Sequence, residues 1–152
     1  MTPIIALLLG LVLLFFGGES LVRGSVAIAL KMRISTLVVG MTIVSFATSA
    51  PELFVSLQAV LDGSSDIAFG NVIGSNMFNT LTVVGIAGTI QPMTVGAEFL
   101  YRDAMVMFAS TVALFIFCIG IKRQGRLNRF EGGAFVLAYV AYTYWLVQAA
   151  FI

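Results

Sequence analysis

The chain has 152 residues, 60% of them hydrophobic and 10% charged, with a formal net charge of +1 and a mean hydropathy of +1.07. So few charges cannot wet the surface of a soluble domain this large, which leaves a polytopic membrane protein. With no histidine and a single cysteine, Cys118, the chain offers neither an internal disulfide nor an ordinary zinc, haem or iron–sulfur centre. No basic stripe offers a surface to nucleic acid.

A bilayer core takes roughly 20 apolar residues as a helix. By that rule the sequence predicts an all-α membrane protein with five spans in a single transmembrane domain, residues 1–152. The first span runs from Pro3 to about Leu30, long enough to tilt or overhang. Its start, Met1-Thr2-Pro3, carries no basic region and no small-residue cleavage site, so it reads as a span rather than a signal peptide. Glu19 and Arg23, four apart, read as a mutually neutralised pair near the interface or as a lining of an access path. The second span covers about Thr36–Leu61 and the third Asp66–Ile90, followed by Phe99–Ile121 and Arg129–Phe151. The connections Lys31–Ser35, Asp62–Ser65, Gln91–Ala97 and Lys122–Asn128 are short and polar or carry turn residues. The charges at Asp62–Asp66 read as a solvated turn or a cation-collecting loop. Tyr101, Tyr142, Tyr144 and Trp145 read as interfacial anchors, and Met105, Met107 and Phe108 as lipid-facing or packing residues.

Five spans place the termini on opposite sides. Arg23, Lys31, Arg33 and Arg102 fall on one side, and Lys122, Arg123, Arg126 and Arg129 on the other. The balance gives no preferred orientation under the positive-inside rule. Either the Lys122–Arg129 cluster dominates or the chain inserts both ways.

Within the second span, "SFATSAPEL" (Ser45–Leu53) places a proline, three hydroxyls and a carboxylate at bilayer depth. Pro51 has no N–H for the carbonyl of Ala47 and disfavours helical geometry at Ser49–Ala50, which predicts a break in the helix here. Freed carbonyls in hydrocarbon must be satisfied by protein, by a wet cavity or by a bound cation. Ser45, Thr48, Ser49, Glu52 and Ser56 make one polar stripe about Glu52. An ionisable group in mid-span is a functional hypothesis by default. The bland reading is a proline kink whose hydroxyls bond back to the chain beside a buried, protonated Glu52. The carboxylate beside the hydroxyls favours an ion site.

The third span carries "GNVIGSNMFN" (Gly70–Asn79). Asn71, Ser75 and Asn79 recur every fourth residue, and Gly70 and Gly74 form a small surface that lets another helix approach. Alone, this fits helix packing with asparagines as glue; beside the second span, the two polar stripes explain each other's burial. All the candidate donors are oxygens, the preference of hard cations such as Na⁺ and Ca²⁺.

"TSAPEL" followed by "GNVIGSNMFN" resembles the α-repeat of the sodium/calcium exchangers, within the cation/calcium exchanger superfamily. The likeness is specific over about residues 40–88, and "ESLVRGSVAIA" (Glu19–Ala29) resembles the family's first helix. The resemblance implies a ten-helix exchanger of two inverted five-helix repeats, with ion sites at mid-membrane between them and this chain forming one repeat. It implies that Glu52 is the central Ca²⁺/Na⁺ carboxylate. Thr48 and Ser49 would act as hydroxyl or carbonyl ligands, Ser45 through its carbonyl, and Ser75 and Asn79 as ligands from the third span. Ala47 and Asn71 stand as secondary candidates. No resident cofactor is implied, only transported Ca²⁺ and Na⁺. The resemblance also implies alternating access, the glycine-bearing first span (Gly10, Gly17, Gly18, Gly24) sliding or tilting against the ion-holding bundle.

The family pattern needs two α-repeats, and this chain carries one. An antiparallel homodimer would regenerate the inverted architecture from identical subunits; half of a longer exchanger, or a pairing with a different half, is the rival. Two copies of Glu52 balance one Ca²⁺ or two Na⁺, so a homodimer should exchange fewer Na⁺ per Ca²⁺ than the three common in the family, or couple partly to protons. A proton-coupled cation exchanger and a non-transporting membrane scaffold are the alternative functions. With no histidine and no nucleophile–base pair, an enzyme is not expected. The short loops suggest a prokaryotic inner membrane.

Overall fold

The computed structural model describes residues 3–119 and 125–151. Every regular element among them is helical. Five helical stretches follow in chain order: α1 (Pro3–Met32), α2 (Thr36–Leu61), α3 (65–90), α4 (Phe99–Ile119) and α5 (Arg129–Ala149). Of these, α1, α2 and α4 are long and apolar enough to cross a membrane. The other two expected spans are also helical, but the asparagines that make the polar stripe of α3 dilute its hydropathy, and glycines and tyrosines dilute that of α5. The expected end of the fourth span at Ile121, and Lys122 and Arg123 of the following loop, lie outside the described residues.

The chain divides into two units, Met1–Val72 with Thr143–Ile152, and Ile73–Tyr142. The first unit begins with α1, whose 30 residues reach about 45 Å at helical rise, longer than the hydrocarbon core. Pro3 opens it where a missing N–H costs nothing. Arg33 closes it in the left-handed region at φ 57°, its N–H bonding to Leu30 O (3.3 Å) while that of Ile34 bonds to Ala29 O (3.1 Å). This is the helix-ending motif that glycine usually occupies. Ser35 then caps α2, its side chain accepting from Val38 N at 3.2 Å. The tight reversal packs α1 against the beginning of α2. There Ser25 and Ala29 of α1 and Val38 and Val39 of α2 are buried.

α2 differs from the expected broken helix. Thr36–Val39 is α-helical, Gly40–Val44 winds as a wider π turn, and Ser45–Leu61 is a continuous α-helix that carries Pro51 inside it. The irregularity therefore sits at Gly40, not at the proline. Proline withdraws one hydrogen bond, whereas a true break would leave several backbone groups unpaired in an apolar solvent. Membrane helices accordingly tolerate proline better than soluble ones. α2 ends on the same motif as α1, with Gly63 at φ 79°, Gly63 N bonding to Val60 O (3.1 Å) and Ser64 N to Ala59 O (2.8 Å).

The second unit contains the rest of α3, in which Phe78–Val83 is again a π turn, then α4 and the first part of α5. α4 also starts with a π turn, Phe99–Asp103. Asn128 caps α5 reciprocally: its Oδ1 accepts from Phe130 N (2.9 Å) and Glu131 N (3.0 Å), while Glu131 Oε2 accepts from Asn128 N (2.7 Å). Phe117 of α4 meets Phe135 of α5 edge-on at 5.4 Å. Large apolar side chains such as Phe15, Leu53, Phe54, Leu81 and Phe115 are exposed, a surface that only lipid or another protein can cover.

Candidate ion site

Glu52 lies one residue beyond Pro51 on α2 and is half-buried. Its Oε2 is buried and has no hydrogen-bond partner among the described residues. Among the described residues, none of the ion pairs, Arg23–Glu19, Arg102–Glu98 and Arg102–Asp103, involves it. A buried carboxylate oxygen without donor or counter-charge is costly unless a proton or a cation neutralises it.

The hydroxyls beside it sit on the same helix. Ser45 Oγ donates to Met41 O at 2.6 Å and Thr48 Oγ1 to Val44 O at 2.9 Å. These are the backbone-directed bonds of the bland reading. They spend the hydroxyl protons but leave oxygen lone pairs, which are what a hard cation takes. Thr48 and Ser49 are exposed on the isolated chain and Ser45 is half-buried. Ala47, exposed, still lacks a proline N–H for its carbonyl.

Asn71 of α3 is the candidate that the structure brings to Glu52. Its Nδ2 donates to the backbone carbonyl of Glu52 at 3.0 Å and to Ser56 Oγ at 3.0 Å. Ser75 and Asn79 belong to the second unit, the first half-buried and the second exposed within the π turn Phe78–Val83. π turns recur at functional sites because they turn side chains and carbonyls out of register. Among the described residues, no three acidic, cysteine or histidine side chains gather to hold a metal.

On α1, Ser25 Oγ is also buried without a hydrogen-bond partner among the described residues. Glu19 and Arg23 do pair, at 2.6 Å, on an exposed face. A Cβ at Gly10, Gly17, Gly18 or Gly24 would meet nothing within 4 Å.

The second unit holds a charged cluster absent from the sequence expectations. Asp103, only 4% exposed, receives Arg102 Nε at 2.6 Å and Nη2 at 3.0 Å and the Tyr142 hydroxyl at 2.6 Å. Tyr142 is thus a hydrogen-bond donor inside the unit. Its distance along the chain from Asp103 hides the pairing from sequence. The signal that was present, an adjacent Arg-Asp within an apolar span, asks for a buried partner.

The family described as sodium/calcium exchanger protein matches residues 2–148. The chain belongs to the sodium/calcium exchanger family. It is 42% identical over 143 residues to CaxA of Alkalimonas amylolytica, described as a candidate antiporter, covering 94% of this chain and 45% of that protein. It is 41% identical over 111 residues to the sodium/calcium exchanger MaX1 of Methanosarcina acetivorans, covering 73% of this chain and 32% of MaX1. To the inner membrane protein YrbG of Escherichia coli it is 32% identical over 144 residues, covering 95% of this chain and 43% of YrbG. The chain thus spans less than half the length of these relatives. No solved structure gives a significant match. Family membership and the apolar helices make the chain a multi-pass integral membrane protein.

Proposed function

We propose that the chain is one five-helix half of an antiporter that exchanges Ca²⁺ for Na⁺ by alternating access, with Glu52 as its ion-binding carboxylate. The observation that carries this reading is the buried Oε2 of Glu52, which has no partner among the described residues on a helix fit to cross a membrane. Thr48, Ser49 and the carbonyl of Ser45 line the same helix as further oxygen donors, and Ser75 and Asn79 contribute from α3. Relatives named as exchangers support Ca²⁺ and Na⁺ as the cargo.

A single carboxylate does not neutralise a divalent cation, and Ca²⁺ takes roughly six to eight oxygens. The site needs a second half. Inverted repeats provide one with the same ligands facing back across the midplane. A second copy of this chain, inserted in the opposite sense, meets that need, and the balanced flanking charges permit it. The membrane of residence in this reading is a prokaryotic inner membrane.

The test is Ca²⁺ flux in proteoliposomes that contain only this chain. Uptake driven by an opposing Na⁺ gradient, and abolished by Glu52→Gln, supports the proposal. Uptake driven by a pH gradient alone replaces Na⁺ with H⁺ coupling. Absence of flux together with absence of Na⁺-sensitive Ca²⁺ binding leaves a scaffold.

A further inference from the structure

We infer that Asn71 is a positioning residue for Glu52 and not a ligand of the ion, an inference that rests on the assignment of Glu52 proposed above. The amide nitrogen of Asn71 stands 3.0 Å from the Glu52 carbonyl oxygen and 3.0 Å from Ser56 Oγ. A carbonyl can only accept, so the nitrogen rather than the oxygen of the amide must face it. Both amide protons are therefore spent on α2. A cation ligand must instead present an oxygen, and the planar amide turns Oδ1 away from the groups that Nδ2 meets.

What the two bonds accomplish follows from where they fall. Pro51 leaves the turn before Glu52 short of one hydrogen bond, so the backbone there is softer than in an unbroken ladder. Asn71 grips the helix immediately after that weak point, at Glu52 and again one turn on at Ser56. The Glu52 carbonyl lies inside an α-helix, and its second lone pair takes the additional bond. A single side chain of α3 thereby fixes the main-chain position from which the carboxylate of Glu52 extends. In metal sites, outer partners of this kind hold the ligand in place and set its affinity.

The variants Asn71→Asp, Asn71→Ala and Ser56→Ala, with Glu52→Gln as control, separate the roles. Radiolabelled Ca²⁺ binding and Na⁺-driven flux are measured on the full chain in lipid, and thermal melting without Ca²⁺ alongside. Positioning predicts that Asn71→Asp, which puts a charged acceptor against a carbonyl, weakens half-saturation by Ca²⁺ about tenfold to a hundredfold. Asn71→Ala should be weakened less than Asn71→Asp, and Ser56→Ala least of the three. A ligand at this position predicts the reverse order, with Asn71→Asp binding Ca²⁺ as tightly as the parent or tighter, and that result overturns the inference. So does a drop in melting temperature with half-saturation unchanged. Should Asn71→Asp fail to fold, Ser56→Ala decides: weakened half-saturation by Ca²⁺ with little change in melting supports positioning, and unchanged half-saturation overturns it. If Glu52→Gln leaves Ca²⁺ binding intact, the site assignment falls and the inference with it. If Glu52→Gln abolishes binding while Asn71→Asp keeps it, the inference alone falls.

Discussion

Tyr142 gives its phenolic proton to Oδ1 of Asp103 at 2.6 Å, and Arg102 holds both oxygens of the same carboxylate. The trio joins the first turns of α4 to α5 within one unit. Removing the phenol alone, by Tyr142→Phe, leaves Asp103 still paired with Arg102 and should destabilise the unit by about 1–2 kcal/mol. Asp103→Ala removes the acceptor of both Arg102 and Tyr142, leaving Arg102 with Glu98 at 3.7 Å, and should cost more than Tyr142→Phe. Thermal unfolding in detergent checks the order: equal losses from the two variants would show that the tyrosine carries the cluster.

The two helix-ending motifs make the same left-handed demand on two unlike residues. Gly63, at φ 79°, suits the geometry, whereas Arg33, at φ 57°, is strained in it. Gly63→Ala should therefore destabilise by about 1–2 kcal/mol, and Arg33→Gly should be neutral or stabilising by up to about 1 kcal/mol. Parallel melting curves of the two variants measure this. A stabilising Gly63→Ala would show that the turn relaxes to another conformation.

Asn128 and Glu131 satisfy each other's backbone N–H groups at the start of α5. Asn128→Ala should cost about 1 kcal/mol, and adding Glu131→Ala should cost less than the separate losses combined, since both serve one cap. A double-mutant cycle by thermal unfolding is the measurement, and strictly additive losses would contradict the reciprocal cap.

Ser45 and Thr48 spend their protons on the backbone and keep lone pairs for a cation. Thr48→Val removes the oxygen at nearly constant volume. If Thr48 Oγ1 is a ligand in the proposed exchanger, half-saturation by Na⁺ or Ca²⁺ should weaken about tenfold, the effect of losing about 1.4 kcal/mol. Melting without ions should change little, because the lost bond is a back-bond to the helix. Unchanged ion dependence would remove Thr48 Oγ1 from the ligand set and leave the Thr48 carbonyl as the remaining donor.

A homodimer assembled from opposite insertions makes a further demand. Tags on the C-terminus should be found on both faces of the membrane, and the reversal potential should report fewer than three Na⁺ per Ca²⁺. A C-terminus confined to one face rules out self-completion by this chain, whatever the transport assay shows.

Several of these features could be read from the residues, and others could not. Apolar run length gave the helical stretches, and turn residues at Asp62–Gly63 marked the reversal between α2 and α3. The spacing of Asn71 marks a polar face, but spacing does not say which atom of an amide points where. Pro51 was a misleading signal: proline's rule comes from water, where a broken helix can be hydrated, and hydrocarbon removes that alternative. The π turns at Gly40–Val44, Phe78–Val83 and Phe99–Asp103 leave no pattern in composition. One of them sits where Arg102 and Asp103 close on each other, and the partner of that pair, Tyr142, lies on a later helix.

The orphaned oxygen of Glu52 bears on how tightly transport would be coupled. A carrier that reorients with this carboxylate bare must drag an unbalanced charge through a poorly polarisable medium, whereas one that reorients with a cation aboard does not. In the proposed exchanger the empty form is thereby held back, so a return trip without cargo is slow. In that reading electrostatics itself opposes leakage.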